Sequence, residues 1–195
     1  TKPGGTFFIC NESNGETNKD DKWVEKIGGM TIYNAAQILT ALHQAGFTNA
    51  VASLGTALTS QHASLLKRYT DEVILTYDSD EAGVRAALRA IPLLKEAGVS
   101  TRVLHMEPYK DPDEFIKALG TEAFQDRIDM AENSFMFEVS VLQKSYDMKD
   151  PESKTKFFQA VAAKIAGFEL EIERENYIEA VTGRYQISFE GLRKM

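Results

Sequence analysis

Between residues 50 and 116, short apolar strands alternate with amphipathic helical stretches, and this alternation constrains the fold more than any other feature. Ala50-Val51-Ala52-Ser53-Leu54 is a short apolar run that enters Gly55-Thr56. Ser60 to Tyr69 has helical spacing with Leu65 and Leu66 inward. Glu72 to Tyr77 is rich in β-formers. In Glu81 to Ala97, the residues Val84, Ala87, Leu88, Ile91 and Leu94 form one stripe, Gly98 is the stop signal, and Pro92 predicts a kink near the last turns. Thr101 to Met106 is the next strand. Upstream, Ile38, Leu39, Leu42 and Ala45 have helical spacing, with Gly46 placed to end the helix. Strands separated by helices imply βαβ units, a parallel sheet and right-handed crossovers. Ligands of such sheets gather at the carboxyl ends of the strands, so the residues just after each strand are the ones to inspect.

The flanks read differently. Phe7-Phe8-Ile9-Cys10 has the character of a short buried strand, Asn11 to Lys22 that of a polar loop or insertion, and Gly28-Gly29 that of a breaker. After about residue 120 the pattern predicts helices alone. One spans about 130–146, carrying Phe135, Phe137, Val139, Val141 and Leu142. The next starts at Asp150-Pro151-Glu152, with Asp as N-cap and Pro in the first turn. Another covers Glu169 to Tyr185, and Ser188 caps a short last one. The expected organisation is an irregular segment over 1–29, an α/β domain over 30–120 and a helical subdomain over 121–195.

Charge and cysteine content narrow the function. A net charge of −7 argues against binding nucleic acid through a broad basic face that neutralises phosphates, and leaves local contact or contact through metal ions open. One cysteine, Cys10, excludes an intrachain disulfide, and with three histidines no zinc-type Cys/His set is present. A reduced, cytoplasmic setting follows. No apolar run reaches the ~20 residues of a membrane span, and the start, Thr-Lys-Pro-Gly-Gly, has no signal-peptide character. The absence of an initial Met reads as an excised fragment.

Two carboxylate pairs fall where the fold places ligands. Asp78-Ser79-Asp80 follows the strand ending Thr76-Tyr77; in extended backbone Asp78 and Asp80 point the same way and Ser79 is turned off. Asp111-Pro112-Asp113 follows the strand ending His105-Met106; Pro112 holds Asp111 extended, and Asp113 is expected to cap a helix beginning Glu114-Phe115-Ile116. The bland reading makes Asp80 and Asp113 simple N-caps, and a cap can also be a ligand. Clustered like charges require a compensating cation, and hard oxygen donors select Mg²⁺, Mn²⁺ or Ca²⁺. Gly55 and Thr56 are candidates for nucleotide or backbone contact, beside a plain reading as a tight turn with Thr59 or Ser60 as N-cap. Lys67, Arg68, Arg85 and Arg89 read chiefly as solvated helix-surface cations, and His43 and His62 as surface residues.

Five strings then carry a family resemblance: Leu42-His43-Gln44-Ala45-Gly46-Phe47, Val51 to Thr59, Leu65-Leu66-Lys67-Arg68-Tyr69, Tyr77-Asp78-Ser79-Asp80-Glu81-Ala82-Gly83, and Lys110-Asp111-Pro112-Asp113-Glu114-Phe115-Ile116. Together they closely resemble the Toprim region of DnaG-type bacterial primases. Tyr146-Asp147, Asp150 to Lys154 and Arg174 to Ile178 are similar to the helical subdomain that follows Toprim in that family. The resemblance implies a Rossmann-like parallel sheet with helices on both faces, then an α-helical subdomain. It implies template-directed synthesis of RNA primers on single-stranded DNA from nucleoside triphosphates, with Mg²⁺ or Mn²⁺ held by Asp78, Asp80, Asp111 and Asp113. It further implies a monomer, and a replicative helicase as partner through a domain absent here.

The family has a Glu at the end of its first Toprim strand and an acid four residues later. Two alignments stand. In one, Phe7 to Cys10 is that strand, Glu12 takes the catalytic Glu role and Glu16 the acid. In the other, Met30 to Tyr33 is the strand, Asn34 and Ile38 fall at the acidic positions, and the site is impaired. The alternative functions are an inactive Toprim module that binds metal or nucleotide, and a phospho-acceptor receiver domain. The latter is disfavoured because Glu107, not Lys, follows the last strand.

Overall fold

The computed structural model describes residues 7–11, 39–52, 57–77 and 79–195. They fall into two compact units, within Thr1–Ser134 and Phe135–Met195.

The first unit is built on a five-stranded sheet: β1 (Phe7–Asn11), β2 (Ala50–Ala52), β3 (Glu72–Tyr77), β4 (Ser100–Leu104) and β5 (Glu132–Asn133). The order is β2-β1-β3-β4-β5. Ile9 lies opposite Val51 on one side and Leu75 on the other, both in parallel ladders. The chain therefore crosses to β2 on one flank of β1 and returns to β3 on the opposite flank, which makes the β1/β3 boundary a topological switch point. From Val73 to Tyr77, β3 is buried at every residue, as a parallel strand covered on both faces must be.

One strand departs from expectation. β5 follows residue 120 and runs antiparallel to β4, with Arg102 opposite Asn133 and Val103 opposite Glu132. At two residues it is too short to show a period, and its strand character comes from pairing with β4. The helix expected over 130–146 accordingly begins only after β5. The expected domain boundary at 120/121 falls within a helix that runs from Pro112 to Asp129, and the sheet closes after it.

The helices of this unit follow from their caps. A helical segment over 39–44 ends at Gly46, whose φ of +98° is open to glycine at no steric cost. The Phe47 N–H then bonds the Leu42 carbonyl at 2.8 Å. α1 (Ser60–Lys67) opens with Thr59, whose Oγ1 accepts from the His62 N–H at 3.2 Å while His62 Nδ1 accepts from the Thr59 N–H at 3.4 Å. α2 (Glu81–Glu96) runs through Pro92 and buries Ala87, Ile91 and Leu94. It closes at Gly98, φ +74°, with Val99 bonding back to Leu94 at 2.9 Å. α3 (Pro112–Asp129) is broken at Gly120, where φ is 88° and ψ 173°. Leu42, Phe47, Ile74, Leu104, Met106, Phe115, Phe124 and Ile128 form the core, with Phe124 edge-on to both Phe47 and Phe115.

The second unit is helical: α4 (Ser134–Gln143), α5 (Pro151–Ala166), α6 (Glu171–Tyr185) and α7 (Phe189–Arg193). Its core is strongly aromatic. Phe135, Phe157, Phe158 and Phe168 are buried, and Phe168 stacks on Tyr177 with centroids 4.5 Å apart. Asp150 caps α5 by accepting the Ser153 N–H at 2.7 Å, and Ser188 caps α7, both as the sequence predicts. Among the described residues no helix is long and apolar enough to cross a membrane.

Candidate active site at the strand ends

The parallel registers bring the acid-bearing segments to one end of the sheet. Asn11, the last residue of β1, lies opposite Tyr77, the last of β3. The residues next in the chain are Glu12 and Asp78. Both lie outside the described residues, as do Glu16, Asn34, Ile38, Gly55 and Thr56.

Asp80 is the N-cap of α2, its Oδ1 accepting the Gly83 N–H at 2.7 Å. Asp111 is the N-cap of α3, its Oδ1 accepting the Glu114 N–H at 2.9 Å. This corrects the expectation that Asp113 caps α3. Pro112 fits the first helical position, where its missing N–H costs nothing and its fixed φ suits the helix. Asp113 therefore sits inside the first turn, where its Oδ2 takes the Lys117 ammonium at 2.6 Å. The Lys117 pKa is raised, first by the hydrogen bond to Asp113, then by that carboxylate's charge, with a smaller contribution from Asp111. Glu114 reaches back to accept the Lys110 N–H at 2.7 Å, which fixes the approach to the cap.

The two acidic loops are joined directly. Ser79 Oγ donates to the Tyr109 carbonyl at 3.0 Å, and the Ser79 N–H points to the Lys110 carbonyl at 3.4 Å. The Ser79 hydroxyl is thus spent on the neighbouring loop, a partner not visible in the sequence. Tyr109 is held in turn by its N–H on the Met106 carbonyl at 2.8 Å and its ring on Phe115. Lys117 was also missed, although its four-residue spacing from Asp113 is a readable ion-pair signal.

Three of the four helix-surface cations, Lys67, Arg85 and Arg89, have partners within the protein. Lys67 donates to Asp71 at 2.6 Å and to the Gly98 carbonyl at 2.7 Å, tying α1 to the turn after α2. Arg85 pairs with Glu81 at 3.3 Å, and Arg89 donates to the Arg85 carbonyl. His43 bonds the Ala50 carbonyl, and His62 serves the α1 cap.

A carboxylate offers two oxygens and about four lone-pair sites, so capping a helix leaves acceptor capacity for a cation. Hard, anionic oxygens suit Mg²⁺ or Mn²⁺. Among the described residues no three His, Cys, Asp or Glu side chains gather as a metal site. A three-carboxylate site here therefore has to draw on residues beyond those described.

Comparison with known proteins agrees with this architecture. Residues 39–116 match the Toprim-like family, and residues 135–190 match the family described as DnaB-helicase binding domain of primase. The DNA primase of Clostridium acetobutylicum is 37% identical over 144 residues, which is 74% of this chain and 24% of that protein. The DNA primase of Listeria innocua is 31% identical over 191 residues, 97% of this chain and 29% of that protein. A solved DnaG primase catalytic domain bound to single-stranded DNA superposes with a TM-score of 0.66 at 25% identity, covering 97% of this chain and 54% of that one. The sheet and its loops thus define a Toprim-like α/β protein. More narrowly, the chain belongs to the DnaG-type bacterial primases, matching their Toprim-like region and the helical segment behind it.

The chain spans 24% and 29% of the length of these two curated relatives. The sequence expectation places helicase contact in a domain outside this chain, while a family description that names helicase binding matches a segment within it. The segment with the helicase-binding description lies at 135–190, and the catalytic-domain structure covers nearly all of the chain, at 97%.

Proposed function

We propose that this chain supplies the acid-bearing part of a primase catalytic core, a DNA-directed RNA polymerase that makes primers on single-stranded DNA from nucleoside triphosphates. The observation that carries this reading is the register at the switch point. Asn11 and Tyr77 end adjacent parallel strands side by side, and Glu12 and Asp78 come next in the chain. We assign Glu12 the role of the first-strand catalytic acid. The register supports this because it sets Phe7–Asn11 between β2 and β3, beside the strand that leads to the acids. Asp78 and Asp80, with Asp111 and Asp113 from the neighbouring loop, would hold Mg²⁺ or Mn²⁺.

A divalent cation bound there supplies charge neutralisation at a transferring phosphoryl group. The chain's own part is to fix the carboxylates. Asp80 and Asp111 are each locked by a helix N–H, and the helix N-termini add positive potential beneath the phosphates. Gly55 and Thr56, which come shortly after β2 in the chain, would meet the nucleotide's phosphates through backbone and hydroxyl. Partners follow from the same reading: a single-stranded template, nucleoside triphosphates, and a replicative helicase.

Asparagine caps a helix about as well as aspartate, so Asp→Asn removes charge while leaving the cap in place. Calorimetric titration of Mn²⁺ into Asp78→Asn/Asp80→Asn is expected to show affinity lowered by about a hundredfold relative to wild type. Equal affinity in both proteins rejects the strand-end site.

A further inference from the structure

We propose that Ser79 is a positioning residue that makes the two acidic loops act as one cation-binding unit. The inference rests on the strand-end reading above and assigns a task to the one residue of Asp78-Ser79-Asp80 that carries no charge.

The two loops differ in how well the sheet holds them. Only three residues separate Tyr77 from the first residue of α2, whereas seven separate Leu104 from the first residue of α3. The longer connection has more freedom, and it delivers Asp111 and Asp113. Its own anchors are Met106 in the core, the Tyr109 ring on Phe115, the reach of Glu114 to the Lys110 N–H, and His105, which bonds Glu132 and accepts Arg127 at its carbonyl. All of these lie on its own side of the site. Ser79 ties it to the loop carrying Asp80 by two bonds, through the hydroxyl to Tyr109 and the backbone N–H toward Lys110.

Opposed to this tie is charge. Asp78 and Asp80 belong to one connection, and Asp111, Asp113 and Glu114 to the other and the helix it enters; carboxylates drawn together without a cation repel. A neutral donor bridging two backbone carbonyls holds the loops together without adding a charge that would compete with a metal. A hydroxyl on a one-carbon stem reaches a carbonyl only at close range, so the bond also sets the spacing between the loops. The outcome is pre-organisation: the two loops are joined before the cation arrives, and that part of the cost of gathering the acids falls on folding rather than on binding.

The coupling is measured as Mn²⁺ affinity by calorimetry on the 195-residue chain, in wild type, Ser79→Ala, Asp111→Asn and the double variant. Ser79→Ala is expected to weaken binding about tenfold, the scale of losing a residue that orients metal ligands. Asp111→Asn is expected to weaken binding in wild type and to add little once Ser79 is Ala. Ser79→Thr keeps the hydroxyl and is expected to restore affinity to within about twofold. A role confined to general stability predicts something else: Asp111→Asn would then have its full effect in both backgrounds, and that additivity overturns the proposal. Unchanged affinity in Ser79→Ala overturns it as well, and does so with the site intact if Asp78→Asn/Asp80→Asn still loses binding. If that acid variant binds like wild type, the site is rejected and the coupling with it.

Discussion

The same local device opens a helix in each unit of the molecule. Asp111-Pro112-Asp113 starts α3, and Asp150-Pro151-Glu152 starts α5. In both, the Asp side chain accepts the N–H three residues on, at 2.9 Å from Glu114 and 2.7 Å from Ser153. In both, Pro fills the first turn and the acid after it meets a Lys one turn later, Asp113 with Lys117 and Glu152 with Lys156, each at 2.6 Å. Local chemistry does not tell these two starts apart. Their surroundings do: Asp111 leaves a parallel strand and its loop is tied by Ser79 to a second acidic loop, whereas Asp150 follows an α-helix and its loop is closed within itself by Asp147 and Ser153. A cap becomes a candidate ligand when the fold brings a second carboxylate to it.

Three measurements test how far that likeness extends. The largest contrast is expected in cation affinity. Asp111→Asn should weaken Mn²⁺ binding about tenfold, and Asp150→Asn should leave it unchanged; a matching loss from Asp150→Asn would erase the distinction. Next comes stability. Asp111→Ala and Asp150→Ala should each lower unfolding free energy by about 1 kcal/mol in urea denaturation, because both remove a helix cap. A much larger loss at Asp111 would mean that its carboxylate stabilises more than the helix start. The smallest effect concerns the resident ammonium groups. Lys117→Met should tighten Mn²⁺ binding about two- to threefold by removing a charge that competes for Asp113. Lys156→Met should do nothing to it, and a null result at both positions would take Asp113 out of the cation site.

Elements defined by local signals were legible in the sequence. Gly46 and Gly98 end their helices at positive φ, Asp150 and Ser188 cap theirs, and β3 reads as a buried strand because every residue from Val73 to Tyr77 is apolar or β-forming. What escaped depends on partners distant in sequence. β5 becomes a strand only through Arg102 and Val103, about thirty residues away. Ser79 spends its hydroxyl on a carbonyl thirty residues on. The shift of the α3 cap from Asp113 to Asp111 was readable, since Pro in the first helical position places the cap one residue before it. Gly120 interrupts α3 with a φ of 88°, and its surroundings in sequence, Ala118-Leu119 and Thr121-Glu122, give no sign of a break.

The short outer strands have a bearing on how this protein behaves in concentrated solution. Among the described residues the sheet ends on one side in β2, three residues long, and on the other in β5, two residues long. Growth of a sheet from one molecule to the next needs an edge with a run of unpaired N–H and C=O groups long enough to serve as a template. Neither border provides one. β5 also carries Glu132, whose carboxylate is engaged by His105 at 2.8 Å, so an incoming strand would meet charge rather than an apolar surface. The longer strands β3 and β4 lie inside the sheet: β3 pairs with β1 and β4, and β4 pairs with β3 on one side and with β5 at Arg102 and Val103 on the other.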